Sequence, residues 1–183
     1  MTFPPNSALI VIDVQNDYSD EGQYPQWQAE ETRQKIETLM QQAQQRDLPI
    51  ILVQHRADNS RQPAPFFNPD TVGVEIHPSI IERAPEAPIV IKQHADSFLN
   101  TTLEQELAKL DTQALLICGM MTHNCVTHTA ISASAAKYQV RFVSDCCTSV
   151  DPMVHAIALN ALSDRVELIE SDQLFPAVQS GAN

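Results

Sequence analysis

Glycine is scarce in this chain. The four that occur, Gly22, Gly73, Gly119 and Gly181, are too dispersed for a G-x-G-x-x-G dinucleotide turn or a P-loop, so a phosphate-cradling backbone is excluded. Positive charge is equally short. Eleven Lys and Arg stand against 23 Asp and Glu, and the net charge of −12 argues against nucleic acid or an anionic membrane surface as a partner. No apolar run approaches a bilayer span. The start, Met1-Thr-Phe-Pro-Pro-Asn-Ser7, lacks the basic segment and long apolar stretch of a secretory signal. The four cysteines crowd at 118, 125, 146 and 147 instead of spreading into a disulfide framework. These absences lead to the expectation of a reduced, cytoplasmic protein.

What is present is enough for a core. A length of 183 residues with 43% hydrophobic content suits one domain, 1–183. Short apolar runs at 8–13, 48–54, 88–92, 113–118, 139–144 and 166–169 read as six strands. Helices are expected between them. One near 28–46 carries the stripe Ile36, Leu39, Met40 and Ala43. Another near 102–110 has Leu103, Leu107 and Leu110 facing inward, with Thr101-x-x-Glu104 as a capping box. A third runs from Cys125 to about 136, and a fourth opens at Asp151-Pro152 and reaches about 162. Strict β–α alternation predicts an α/β fold, a Rossmann-like three-layer α/β/α sandwich with a mainly parallel six-stranded sheet. The stretch 55–87 interrupts it with Pro63, Pro65, Pro69, Pro78 and Pro85 and the pair Phe66-Phe67. It reads either as a proline-braced surface wrap or as an apolar wall over a substrate or at a subunit interface. Tyr18, Tyr24 and Trp27 form a second candidate wall.

Three strand ends carry chemistry. Asp13 closes the run Ala8-Leu-Ile-Val-Ile12, and Lys92 closes Pro88-Ile-Val-Ile91. Cys125 follows Leu115-Leu-Ile-Cys-Gly119 and a brief turn. Ligands of open parallel sheets bind beyond the carboxyl ends of the strands. A helix N-terminus at Cys125 and a cation at Lys92 would both favour thiolate, of which an unperturbed thiol holds only about 3% at pH 7. Taken singly, a capping Asp, a solvated Lys and a buried Cys are each ordinary.

The segments Asp13-Val-Gln-Asn-Asp-Tyr18, Ile91-Lys-x-x-x-x-Ser-Phe98 and Gly119-Met-Met-Thr-His-Asn-Cys-Val-Thr-His-Thr-Ala130, in this order, resemble the isochorismatase-like cysteine hydrolases, and Val143-Ser-Asp-Cys-Cys147 resembles the family's next strand end. The resemblance implies a catalytic triad of Asp13, Lys92 and Cys125. It also implies a cis peptide at Met120–Met121, an oxyanion hole from the N–H groups of Met121 and Cys125, and a homo-oligomer, dimer or tetramer. The zinc-bearing nicotinamidases of the family use an Asp-x-His pair that this chain lacks, so no metal and no cofactor are expected. True isochorismatases, which cleave a vinyl ether, do not use a cysteine at this position.

These side chains suit a C–N bond of a small amide, ureide or carbamoyl substrate. Asp13 would take the thiol proton and return it to the leaving nitrogen, and Cys125 would carry the acyl group as a thioester. Gln15, Tyr18, His94, Phe98 and His123 are candidate substrate-binding neighbours. Two other classes stay open: a redox-sensing thiol protein, suggested by Cys146-Cys147, and a binding module without catalysis.

Overall fold

Strands β1 (Ser7–Ile12) and β4 (Ala114–Met120) are buried along their whole length, as continuous apolar runs without alternation require when both faces are covered. They pair in parallel at the middle of a six-stranded sheet with β2 (Ile50–His55), β3 (Ile89–Lys92), β5 (Gln139–Thr148) and β6 (Glu167–Ile169), in the order β3-β2-β1-β4-β5-β6, every pairing parallel. This computed structural model describes residues 6–60 and 62–175. Residues 1–5, on which the secretory-signal reading draws, and Gly181 lie outside the described residues. Helices α1 (Ala29–Gln44), α2 (Pro78–Arg83), α3 (Leu103–Lys109), α4 (Thr127–Ala130), α5 (Pro152–Leu162) and α6 (Ser171–Leu174) complete a three-layer α/β/α fold. Among the described residues no helix is long and apolar enough to cross a membrane.

The topology decides which strand ends meet. From β1 the chain steps outward to β2 and β3, then returns to add β4 on the other side of β1. The switch point therefore lies between β1 and β4, where a crevice opens at the carboxyl edge. Registers Ile12 with Val53, His55 with Lys92 and Ile12 with Gly119 bring the ends of four strands to one level. Edge strand β3 shows the opposite burial pattern to β1: Ile89 and Ile91 are exposed while Val90 and Lys92 are buried, so the lysine is on the covered face.

Most predicted elements lie within a residue or two of their expected bounds, and the differences have local causes. The stripe Ile36, Leu39, Met40 and Ala43 is fully buried along α1. Asp151 caps α5 by accepting from the Val154 N–H at 2.8 Å, with Pro152 in the first turn. The expected capping box at α3 does not form. Thr101 Oγ1 does accept from the Leu103 N–H (3.2 Å), but it donates to Ser97 O (2.5 Å), which holds it toward the preceding loop, and Leu110 falls beyond the helix, partly exposed. The Cys125 helix is also much shorter than expected. A π-type turn, Thr122–Val126, leads into α4, which ends at Ala130. Ser132 then takes an extended conformation and its side chain accepts from the Ser134 N–H, starting a separate 3-10 turn over Ala133–Lys137. Within 55–87, α2 was not foreseen; Pro78 opens it, and the His77 ring accepts from the Ser79 N–H. The same stretch packs back on its own chain, with Phe67 fully buried against Tyr18 at 4.5 Å between ring centroids.

Gly119 is the one glycine on which the crevice depends. Its φ is +122°, and a Cβ there would stand 2.0 Å from the Ile12 carbonyl oxygen of the neighbouring strand. Backbone of that strand cannot yield without moving Asp13 next to it. Gly119→Ala is expected to lower stability by about 2 kcal/mol or more. Urea unfolding would show it as a lower midpoint at unchanged slope, and an unchanged midpoint would contradict the close approach.

Candidate active site

Asp13 is the first residue past β1 and takes a left-handed backbone (φ 52°), a conformation that Asp tolerates better than most side chains. Its N–H is held by Val53 O at 3.0 Å. The carboxylate is wholly buried; Oδ2 forms an ion pair with Lys92 Nζ at 2.8 Å, and neither oxygen accepts a well-directed hydrogen bond. Lys92, 1% exposed, has two further contacts: His55 Nδ1 at 2.9 Å and the His94 carbonyl oxygen at 3.2 Å. Burial acts against the lysine's charge, yet Asp13 and Cys125 beside it overcome that and hold its pKa above the ordinary value. Asp13 and Lys92 therefore form a buried ion pair.

Cys125 lies in the π-type turn after β4, 3% exposed. Turns of this kind are short insertions into helices and often mark functional sites. The peptide bond Met120–Met121 that leads into it is cis. A hydroxyl lock fixes the turn to the loop after β3: Thr129 Oγ1 donates to Cys125 O (2.7 Å), accepts from the Ser97 N–H (3.0 Å) and lies 2.8 Å from Ser97 Oγ. Cys125 Sγ, an Asp13 carboxylate oxygen and a His55 ring nitrogen all lie within 4.8 Å of one another. The sulfur is not a resting thiolate as expected from a helix N-terminus and Lys92. Burial and then Asp13 push the Cys125 thiol up to about 12, and Lys92 offsets only part of that. The resting site holds a neutral thiol within reach of the Asp13 carboxylate.

Asp13, His55 and Cys125 could in principle ligate a metal, but the Lys92 ammonium already touches two of them, a fixed cation where the ion would sit. The set suits proton transfer better. The other sequence candidates scatter. Gln15 is buried (2% exposed) and its amide is fully used, accepting from the His55 N–H (2.8 Å) and donating to His55 O (2.9 Å) and Val74 O (2.6 Å). Tyr18 is close to the site, and burial, Asp13 and Cys125 raise its phenol pKa, but it is 1% exposed and packed against Phe66 and Phe67. Phe98 stacks on Tyr138, in the core. The His94 side chain is exposed and only its carbonyl reaches Lys92. His123 is half-buried and bonded to Ser149 Oγ.

Sequence reasoning missed His55. It ends β2 as Asp13 and Lys92 follow or end theirs, and the same search for a polar residue closing an apolar run finds it once the strand is extended by one residue. The Ser97–Thr129 lock left no sequence signal beyond two hydroxyls, because it forms only when the β3 loop and the Cys125 turn fold together.

Comparison with known proteins agrees with this fold. The family model for the isochorismatase domain matches residues 7–173. The chain belongs to the isochorismatase family. It is 35% identical over 143 residues to the uncharacterized isochorismatase family protein YddQ of Bacillus subtilis, covering 78% of each chain. It is 26% identical to streptothricin hydrolase of Streptomyces noursei, covering 94% of this chain and 71% of the relative. The crystal structure of a provisionally assigned isochorismatase hydrolase from Oleispira antarctica superimposes with a TM-score of 0.85 at 29% identity, covering 96% of this chain and 98% of the other.

This isochorismatase-family site generates a prediction about charge. Asp13 raises the Cys125 pKa and Lys92 lowers it, so Asp13→Asn should bring the thiol down and Lys92→Met should send it further up. The ultraviolet absorbance of the thiolate, with Cys125→Ala as blank, would follow both. A wild-type pKa near the free value of about 8.5, unmoved by either change, would contradict the buried environment.

Proposed function

We propose that this chain is a cysteine hydrolase that cleaves the C–N bond of a small amide, ureide or carbamoyl compound through a thioester on Cys125. The observation that carries the reading is the buried Asp13 carboxylate within reach of a neutral thiol, with Lys92 in an ion pair with Oδ2. A base and a nucleophile with nothing between them are what a thiol of raised pKa needs, because its proton must leave as the sulfur attacks.

In the first half-reaction Asp13 Oδ1 takes the S–H proton while Sγ bonds to the carbonyl carbon. The carbonyl oxygen becomes an oxyanion, for which the N–H groups of Met121 and Cys125 are the proposed donors, worth about 3 kcal/mol. Collapse breaks the C–N bond, and the proton held by Asp13 passes to the leaving nitrogen. In the second half-reaction water gives its proton to Asp13 and its oxygen to the acyl carbon. The C–S bond breaks and the sulfur recovers its proton from Asp13. Lys92 keeps its charge throughout and stabilises the carboxylate between the two transfers. A hydrolase among the relatives, streptothricin hydrolase, supports this class of reaction.

The redox-thiol reading finds less support. Cys118, Cys146 and Cys147 are buried and free, and burial pushes each thiol above the ordinary range, the opposite of a reactive sensor. Our reading includes a homo-oligomer, for which Met153 and Ile157 on α5 supply exposed apolar area.

A panel of primary amides, ureides and carbamoyl compounds, assayed for ammonia or amine release, tests the function. Turnover should fall by about 10³-fold or more in Cys125→Ala and in Asp13→Asn. Intact-mass spectrometry of the wild type under turnover should show an acyl adduct that maps to Cys125. Hydrolysis that survives in Cys125→Ala would overturn the mechanism.

A further inference from the structure

We propose that His55 is a positioning residue which holds Lys92 on one oxygen of Asp13 and so keeps the other free to receive the thiol proton. This rests on the cysteine-hydrolase reading above.

An ammonium group has three N–H donors. Lys92 Nζ faces Asp13 Oδ2 at 2.8 Å, His55 Nδ1 at 2.9 Å and His94 O at 3.2 Å, with the Cys125 thiol as a further neighbour. With one proton directed to each of Asp13 Oδ2, His55 Nδ1 and His94 O, none remains for Asp13 Oδ1, which accepts no well-directed hydrogen bond. Without the imidazole, one N–H of a buried ammonium would be orphaned. Asp13 Oδ1, on the carboxylate the lysine already pairs with, is an acceptor open to it. Lysine would then bind both carboxylate oxygens, and the base would lose the lone pair that takes the thiol proton.

The residue type matters as well as the position. Nδ1 can accept from an ammonium only when it carries no proton, so the ring must be neutral with its hydrogen on Nε2. Burial, and then the Lys92 charge, lower the His55 pKa to about 4, against a smaller opposing pull from Asp13. The groups that face it are Lys92, Asp13, His94 and Cys125. A carboxylate at this place would compete with Asp13 for the ammonium, and an imidazolium would repel it.

The surrounding structure fixes the ring in place. Register pairs His55 with Lys92 on adjacent strands. The Gln15 amide grips both the N–H and the C=O of His55 and anchors itself on Val74 O. Phe67 lies 5.8 Å from the ring, centroid to centroid. A buried glutamine spent wholly on one residue's backbone and one loop carbonyl is a costly arrangement if His55 only fills space, and a direct one if its ring must not drift.

The test combines a spectroscopic and a kinetic measurement. Nitrogen-15 spectra of the imidazoles in the wild type should show His55 neutral and protonated at Nε2 from pH 5 to pH 8; an Nδ1–H tautomer or an imidazolium in that range would overturn the proposal. Iodoacetamide is the kinetic probe, with labelling of Cys125 read by peptide mass spectrometry at pH 7 in wild type, His55→Leu, His55→Asn and Asp13→Asn. His55→Leu should slow labelling about 10-fold, the low end of the effect of a general base. His55→Asn, whose Oδ1 can replace Nδ1 as a neutral acceptor, should recover most of the rate. If Asp13→Asn changes the labelling rate but His55→Leu does not, the positioning role fails while the nucleophile stands. If all three variants label like the wild type, the Asp13–Cys125 reading itself fails.

Discussion

Lys92 and Asp13 are buried together at the carboxyl edge of the sheet, 1% and 0% exposed, and neither is tolerable there alone. A single uncompensated charge in such a place costs several kcal/mol, so each is the condition for the other. The rest of the site follows from where this pair is held. The close β1–β4 contact at Gly119 sets the height of Asp13, and β3 turns Lys92 onto its covered face. The strand order brings β2 between them, and with it His55. Cys125 is added from the other side of the switch point, carried by a turn that Thr129 and Ser97 bind back to the β3 loop.

The pair also explains why the thiol is neutral. In a solvated cleft the cost of burying a thiolate would be absent and a neighbouring lysine could lower the thiol pKa. Here burial dominates, Asp13 adds to it, and Lys92 offsets only part of the rise. A protonated nucleophile with an adjacent free base does not depend on a standing thiolate. In the mechanism we propose, its proton moves only when a substrate carbonyl is in reach, which would also protect the sulfur from adventitious oxidation between turnovers.

Much of this was legible in the sequence, and the illegible part has a common cause. Continuous apolar runs ending in Asp13 and Lys92, and a glycine ahead of the Cys125 turn, report local facts: strand burial, strand end, close approach. The alternation of runs and stripes carries the fold for the same reason. Gln15, Tyr18 and Phe98 lie beside the motifs, but the sequence cannot say whether a polar or aromatic side chain faces the crevice or the packing behind it. In the fold, Gln15 is spent on the His55 backbone, and Tyr18 and Phe98 are packed. The premature end of the Cys125 helix depends on Ser132 capping a new turn, a competition between hydrogen bonds that Ala-rich propensity does not reveal. His55 was missed by one residue of strand length.

A double-mutant cycle on folding stability, with Asp13→Asn, Lys92→Met and the two combined, tests the dependence on the ion pair most directly. Each single change should cost about 3–5 kcal/mol by leaving its partner charged and buried. The combined variant should be more stable than the sum of the two by about 2 kcal/mol or more, because it leaves no orphaned charge. Costs that add to within about 0.5 kcal/mol would mean the two groups are not coupled in the folded protein, and the pair would not be the constraint that organises the site.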